Sequence, residues 1–336
     1  MHKLHCDILT FFVNSRPCEA YRAIEFLINC SGVKLRKTVL VIGASSGAGL
    51  ATANQFYREG WNVVATVRDF SAVRINRTAT YRSLVKVLDV TDHDMVTTTI
   101  EDAEILFGKI DVVVNNAAYG QYGLFEALTD TDLRESFETN FFGAANVLRE
   151  IIPRMRARRD GTIVNISACE AFFGVPTKSA YVSTKWALEG LCESLWHEVL
   201  PFGVKIKVIQ PNTLATPFED RAAGRSKRFG TLTEYTSIYE TFQKGLAAMY
   251  RAPTEAELFA NHVYSAATDG RNNFRYFAGP AFQWVKEAKS RMQDDQFESI
   301  MRQLFREPEI TQAMETRIST PHLLSTESAY NADSDT

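Results

Sequence analysis

Six short runs set the frame of this chain: residues 39–42, 63–67, 84–88, 112–114, 163–166 and 204–209. They are rich in β-branched residues and largely apolar on both faces. Strands of that kind are buried on two sides, as in a parallel sheet covered by helices. The stretches between them, 48–59, 92–107, 130–158 and 180–200, have helical length and amphipathic character. Gly60 falls where a helix-ending glycine belongs. This alternation predicts a doubly wound α/β domain of the Rossmann type. Beyond Pro211, residues 217–250 are mixed polar and aromatic, 253–268 and 281–306 read as helices, and a last strand is expected near 274–277.

The first run leads directly into Gly43-Ala44-Ser45-Ser46-Gly47-Ala48-Gly49, and a helix follows. Glycines there let the chain turn sharply and bring backbone N–H groups against a pyrophosphate at a helix N-terminus. The spacing is G-x-x-x-G-x-G, distinct from the G-x-G-x-x-G of other dinucleotide folds. Three glycines also make a plain tight turn; the strand before and helix after favour the cofactor. The second run ends Val67-Arg68-Asp69. An NAD-preferring fold places a carboxylate at this strand end for the ribose 2′-hydroxyl. Arg68 offers a guanidinium that can pair with a 2′-phosphate, so the expected cofactor is NADP(H). Asp69 is open to two roles, neutralising Arg68 or accepting from a 2′-hydroxyl.

Tyr181 and Lys185 stand four apart at the start of a helical stretch and so share a face. A phenol titrates near pH 10 and is a poor acid–base group at neutrality. A neighbouring ammonium favours the phenolate and is expected to bring that pKa down. Taken alone, the pair is also a common accident of helices.

With the other motifs it is not alone. From about Thr38 to Phe218 the chain resembles the short-chain dehydrogenase/reductase family. The glycine loop matches. Leu88-Asp89-Val90 resembles the adenine-contacting segment, and Asn115-Asn116-Ala117-Ala118 resembles the family's Asn-Asn-Ala-Gly, with Ala118 for Gly. Asn140 falls at the family's helix asparagine, Tyr181 and Lys185 at its catalytic pair. Pro211-Asn212-Thr213-Leu214-Ala215-Thr216 resembles the Pro-Gly…Thr segment over the nicotinamide. The stretch 273–305 is similar to a branch with steroid- and retinol-dehydrogenase-like members. The resemblance implies reversible hydride transfer between a nicotinamide and a carbonyl carbon. Tyr181 would carry the proton, Lys185 would hold the ribose and lower the Tyr181 pKa, and Asn140 would anchor a relay water. Thr216 would bond the carboxamide or a phosphate. Gly43, Ser45, Ser46, Gly47, Ala48, Gly49, Arg68, Asp89, Val90 and Asn116 would complete the cofactor site with Tyr181, Lys185 and Thr216.

One position departs from the family. Its substrate-binding serine stands 13 residues before the tyrosine, and here that residue is Ala168. Ser167 precedes it, on what should be the opposite strand face. Loss of such a donor costs about 10²–10³ in rate. Three explanations stay open: Ser167 serves, another group such as Cys169, Ser179 or the substrate itself serves, or turnover is weak and the protein is a cofactor-binding sensor or scaffold.

The aromatic stretch 217–250, with Phe218, Phe229, Tyr235, Tyr239, Phe242 and Tyr250, is expected to form a lid over a lipophilic carbonyl or alcohol substrate. Half or more of these rings could equally be core contacts, and Met249, Phe282 and Trp284 read as packing residues. The remaining features exclude other classes. The formal net charge is −3 and no basic run is long, so no nucleic-acid partner is expected. Arg154–Arg159 reads as a helix end. The five cysteines have no metal or redox spacing, and no metal site is expected. No run of membrane-spanning length occurs, and residues 8–13 are too short a run for a signal peptide, so a cytoplasmic protein is expected. Residues 1–36 fit no part of this pattern and are expected to be an extra helix around 19–29 or an extension of unknown structure. The domain is set at 37–310, with a disordered tail over 311–336. A homo-oligomer through helices 130–158 and 180–200 is compatible with the family.

Overall fold

The computed structural model describes residues 36–72, 82–223, 232–250, 253–279 and 283–306. The expectations for 1–35 and 311–336, and the assignments of the Phe229, Met249 and Phe282 side chains, lie outside what is described.

Among the described residues seven strands form one sheet: β1 (Thr38–Ile42), β2 (Asn62–Val67), β3 (Ser83–Val87), β4 (Val112–Asn115), β5 (Gly161–Ile166), β6 (Val204–Pro211) and β7 (Arg275–Ala278). Their order is β3-β2-β1-β4-β5-β6-β7 and every pairing is parallel. β1, β4 and β5 are buried along their whole length, which explains their apolar reading. The winding reverses between β1 and β4, so the ligand crevice of such a sheet opens at the carboxyl ends of these two strands.

Helices cover both faces. On one lie α1 (Gly47–Arg58) and, later in the chain, α8 (Ala256–Thr268); Phe56 stands edge-on to Trp61 and Tyr264, each 5.0 Å away. On the other lie α2 (His93–Phe107), α4 (Gly143–Arg158) and α5 (Ser179–Val199), whose Ile100, Leu148, Ile151 and Leu188 pack onto Leu40, Val113 and Ile206. A third apolar cluster sits beyond the strand ends. It joins Tyr181, Phe173 and Val182 to Trp284, Leu304 and Phe305. Its helices are α6 (Phe218–Ala223), α7 (Thr236–Met249), α9 (Gln283–Arg291) and α10 (Asp294–Arg306). Trp284 is a packing residue, as expected.

Two helices differ from their sequence pattern. The stretch 130–158 is α3 (Asp130–Phe137), a wide π turn over Glu138–Phe142, and then α4. The turn widens where Asn140 is tied on both sides, to Tyr119 and to Thr184. Gly143 follows because a Cβ there would lie 2.4 Å from Val90 Cγ2. The stretch 281–306 is α9 and α10, broken at 292–293. Lys289 and Arg291 end the first and Asp294 and Asp295 open the second, so each charge complements its helix dipole. Lys289 Nζ reaches Asp294 at 2.6 Å across the break. Among the described residues no helix is long and apolar enough to cross a membrane.

Candidate active site

A cleft of about 970 Å³ opens at the β1/β4 switch point. Gly43, Ser45, Ser46, Gly47, Ala48, Gly49, Arg68, Asp89, Val90, Asn116, Thr216, Ser167, Tyr181 and Lys185 all line it. Asn140 does not; it is 1% exposed and stands behind the wall.

The dinucleotide end is shaped by the backbone. Gly43 has φ +78°, and a Cβ there would lie 2.9 Å from Ala117 Cα. A Cβ on Gly49 would meet the Gly43 carbonyl oxygen at 2.1 Å and Asn116 Nδ2 at 2.5 Å. The loop is therefore folded back on itself in a form only glycine permits. The Asn116 amide holds it by donating to the Gly43 carbonyl at 2.8 Å, and the Thr66 hydroxyl accepts from Gly43 N–H at 3.1 Å. Ser46 caps α1 without turning its side chain onto the helix, and the first turn holds no acidic residue. An open helix N-terminus in a glycine cradle fits a pyrophosphate. Thr216 closes over this loop, within 3.1 Å of where a Gly47 Cβ would be.

Arg68 is exposed at the end of β2 and has no ion-pair partner among the described residues. Asp69 does not neutralise it. Its carboxylate accepts from the hydroxyl and the N–H of Ser71, and these bonds hold its pKa below the usual carboxylate range. The Asp89 carboxylate is likewise turned onto the next loop, accepting from Thr91 N–H at 2.9 Å and Thr91 Oγ1 at 2.7 Å.

At the other end, Tyr181 is 7% exposed, edge-on to Tyr122 and beside Phe218. Lys185 Nζ lies 5.7 Å from the Tyr181 ring centre and donates to the Ile166 carbonyl at 2.9 Å. Burial pulls the Lys185 pKa down to about 8. Contrary to the expected fall, the Tyr181 phenol is pushed well up, first by burial and then by the negative charges of Glu170 and Glu219. The Asn140 amide is used up in the protein: it accepts from Tyr119 N–H at 2.9 Å and donates to the Tyr119 carbonyl at 2.9 Å and to Thr184 Oγ1 at 3.1 Å. It ties the loop after β4 to the helix that carries Tyr181 and Lys185.

Ser167 is not turned toward Tyr181. Its hydroxyl donates to Glu189 at 2.7 Å, a buried carboxylate that also accepts from Gln210 at 2.7 Å and Arg275 at 2.9 Å. Ser179 is exposed and outside the cleft wall. Cys169 is on that wall, its thiol bonded to Glu170 at 3.2 Å and kept protonated by burial.

The sequence reading missed a buried charge cluster beside Tyr181. Lys178 Nζ lies 3.3 Å from Glu170 and 3.4 Å from Glu219, over the rings of Tyr122 and Tyr250 at 4.5 and 4.0 Å. Tyr250 donates to Glu170, and Tyr122 to Glu219 at 3.2 Å. Two sequence signals pointed here. Glu170 is a lone charge in an Ala-Cys-Glu-Ala-Phe-Phe run, and Lys178 stands three before Tyr181. Of the lid aromatics, Phe218 and Tyr250 line the cleft, while Phe242 packs against the third core cluster.

The sequence pattern described as short chain dehydrogenase matches residues 37–225. Retinol dehydrogenase 8 of Homo sapiens is 35% identical over 190 residues, 55% of this chain and 61% of that one. A short-chain dehydrogenase from Streptomyces avermitilis superposes with TM-score 0.65 at 30% identity, over 80% of this chain and 98% of that one. ElxO, solved with NADP bound, gives TM-score 0.60 at 25% identity, over 72% and 97%. A crevice at the switch point, walled by a glycine cradle and a Tyr–Lys helix, thus belongs to an oxidoreductase of the nicotinamide-using kind. The chain is a member of the short-chain dehydrogenase/reductase family.

Proposed function

We propose that the protein is an NADP(H)-dependent oxidoreductase that interconverts a ketone or aldehyde and an alcohol on a lipophilic small molecule, with Tyr181 as the proton donor and acceptor. The observation that carries this is the state of Tyr181: a buried phenol on the cleft wall, held protonated, four residues from a buried ammonium. A phenol that keeps its proton at neutral pH is poised to donate it to a developing alkoxide, which is the reducing direction.

The glycine cradle and the N-terminus of α1 would hold the pyrophosphate, Arg68 the 2′-phosphate, Asp89 and Val90 the adenine end, and Lys185, Asn116 and Thr216 the nicotinamide end. When bound, the nicotinamide supplies or takes up the hydride. Lys185 brings its charge to the ribose side of Tyr181 and is itself fixed by the Ile166 carbonyl. Asn140 acts as a positioning residue, since its amide is engaged with Tyr119 and Thr184. Phe218 and Tyr250 give the substrate end apolar surface. The bounds 37–310 for the domain and 217–250 for the lid belong to the same proposal. The neighbour solved with NADP and the relative named for retinol support the cofactor and the lipophilic substrate.

A second reading, a cofactor-binding sensor with little turnover, is favoured by one observation: Ala168 has no hydroxyl, and that of Ser167 is bound to Glu189. NADPH consumption over a panel of lipophilic ketones and aldehydes decides between them. Wild-type turnover that Tyr181→Phe lowers at least about a hundredfold, with NADPH affinity unchanged, is the expected result. Tight NADPH binding with no turnover on any carbonyl would favour the sensor.

A further inference from the structure

We infer, resting on the oxidoreductase reading above, that the substrate carries an ammonium group close to its carbonyl: the cleft selects a lipophilic amino ketone and, in reverse, an amino alcohol. Glu170 and Glu219 both line the cleft beside Tyr181. They share one cation, Lys178, whose side chain is only 4% exposed and which is not part of the wall. Two carboxylates on one ammonium leave a negative charge at the substrate end. Glu170 is fully engaged, by Lys178, Tyr250 and the Cys169 thiol. Glu219 has the longer contact to Lys178, at 3.4 Å, and its side chain remains 38% exposed. It is the carboxylate with capacity for a second cation.

The rest of that wall sets Asp132, Glu135 and Glu138 of α3 and the π turn against Lys185 and Arg221, so with Glu170 and Glu219 the wall stays net negative and disfavours an anionic head group.

A second observation is independent of charge. Gln121 also lines the cleft, is 4% exposed, and its amide nitrogen has no hydrogen-bond partner. It directly precedes Tyr122, whose hydroxyl is on Glu219. A buried donor left unpaired is costly, and a substrate oxygen would satisfy it. Acceptor and donor together describe a head group that carries both an ammonium and an oxygen.

The test is calorimetric binding of a long-chain vicinal amino alcohol, its N-acetyl derivative and the matched alcohol without nitrogen to the NADPH-loaded protein, a complex that cannot turn over. The amine should bind at least about tenfold tighter than either neutral probe, as one charge-assisted bond provides. In Glu219→Gln that preference should vanish, with thermal melting as the check on folding. Equal or tighter binding of the neutral alcohol overturns the inference, as does failure of all three probes to bind or a preference that survives in Glu219→Gln. An amine preference without NADPH consumption on any carbonyl overturns the oxidoreductase reading, and with it the amino ketone as substrate, and leaves Glu219 as an ammonium-binding site alone.

Discussion

The two ends of the cleft are built in different ways. The dinucleotide end is backbone: a glycine loop in which a Cβ on Gly49 would lie 2.1 Å from the Gly43 carbonyl oxygen, an open helix N-terminus, and the exposed guanidinium of Arg68. The substrate end is side chain: a Glu–Lys–Glu cluster with only Glu219 part-exposed, two tyrosine hydroxyls and an unpaired amide, gathered from five segments of the chain. A backbone site is rigid and fits one invariant ligand. A side-chain site can be re-specified one residue at a time on the same scaffold.

That contrast can be broken most severely at Gly49. Gly49→Ala puts a methyl group against a fixed carbonyl. NADPH affinity, followed by fluorescence titration, should fall at least about a hundredfold, because the loop must open. The Arg68→Ala variant tests the proposed hold of that guanidinium on the 2′-phosphate. It should weaken NADPH about ten- to a hundredfold, the worth of one or two charge-assisted bonds, and leave NADH nearly unchanged.

Lys185 joins the two ends, and its pKa makes it a probe of both. Its folded value of about 8 lies below the 10.5 of an exposed lysine. Between these values the unfolded chain binds the extra proton, so stability should rise with pH across that window. At neutral pH the buried charge costs on the order of 3 kcal/mol. In urea unfolding, Lys185→Met should remove the rise and be more stable than wild type at pH 7. In the wild type, kcat/KM for NADPH should fall as pH passes about 8 and the ammonium loses its proton.

The smallest effect is expected at Ser167. Ser167→Ala removes one of three donors to the buried Glu189 and should lower stability by about 1–2 kcal/mol while changing kcat less than about threefold. A tenfold loss of kcat would return the hydroxyl to the substrate and make the two ends less distinct than described.

The same contrast explains what could be read in advance. The parallel sheet was legible because strands buried on both faces are apolar throughout, and the glycine loop because a backbone conformation leaves its requirement in consecutive residues. Tyr181 and Lys185 were legible as an i, i+4 pair. The direction of the Tyr181 shift was not, because it depends first on burial by distant segments and then on Glu170 and Glu219, eleven residues before it and thirty-eight after it, with Glu219 on another helix. The orientation of Ser167 escaped for a related reason. Its partner Glu189 is one turn beyond Lys185, a position that reads as ordinary helix surface until β6 and β7 bring Gln210 and Arg275 against it.

The wide turn at Glu138–Phe142 has one more consequence. Each residue of a helix advances its face by about 100°. A turn holding one extra residue therefore shifts the phase of everything that follows it, and α4 presents to the core a side it would otherwise carry about a quarter turn away. Shortening the turn by one residue would do more than release Asn140. It would rotate Val147, Leu148 and Ile151 out of the core together, so the asparagine and the sheet contacts of α4 must change in step or not at all.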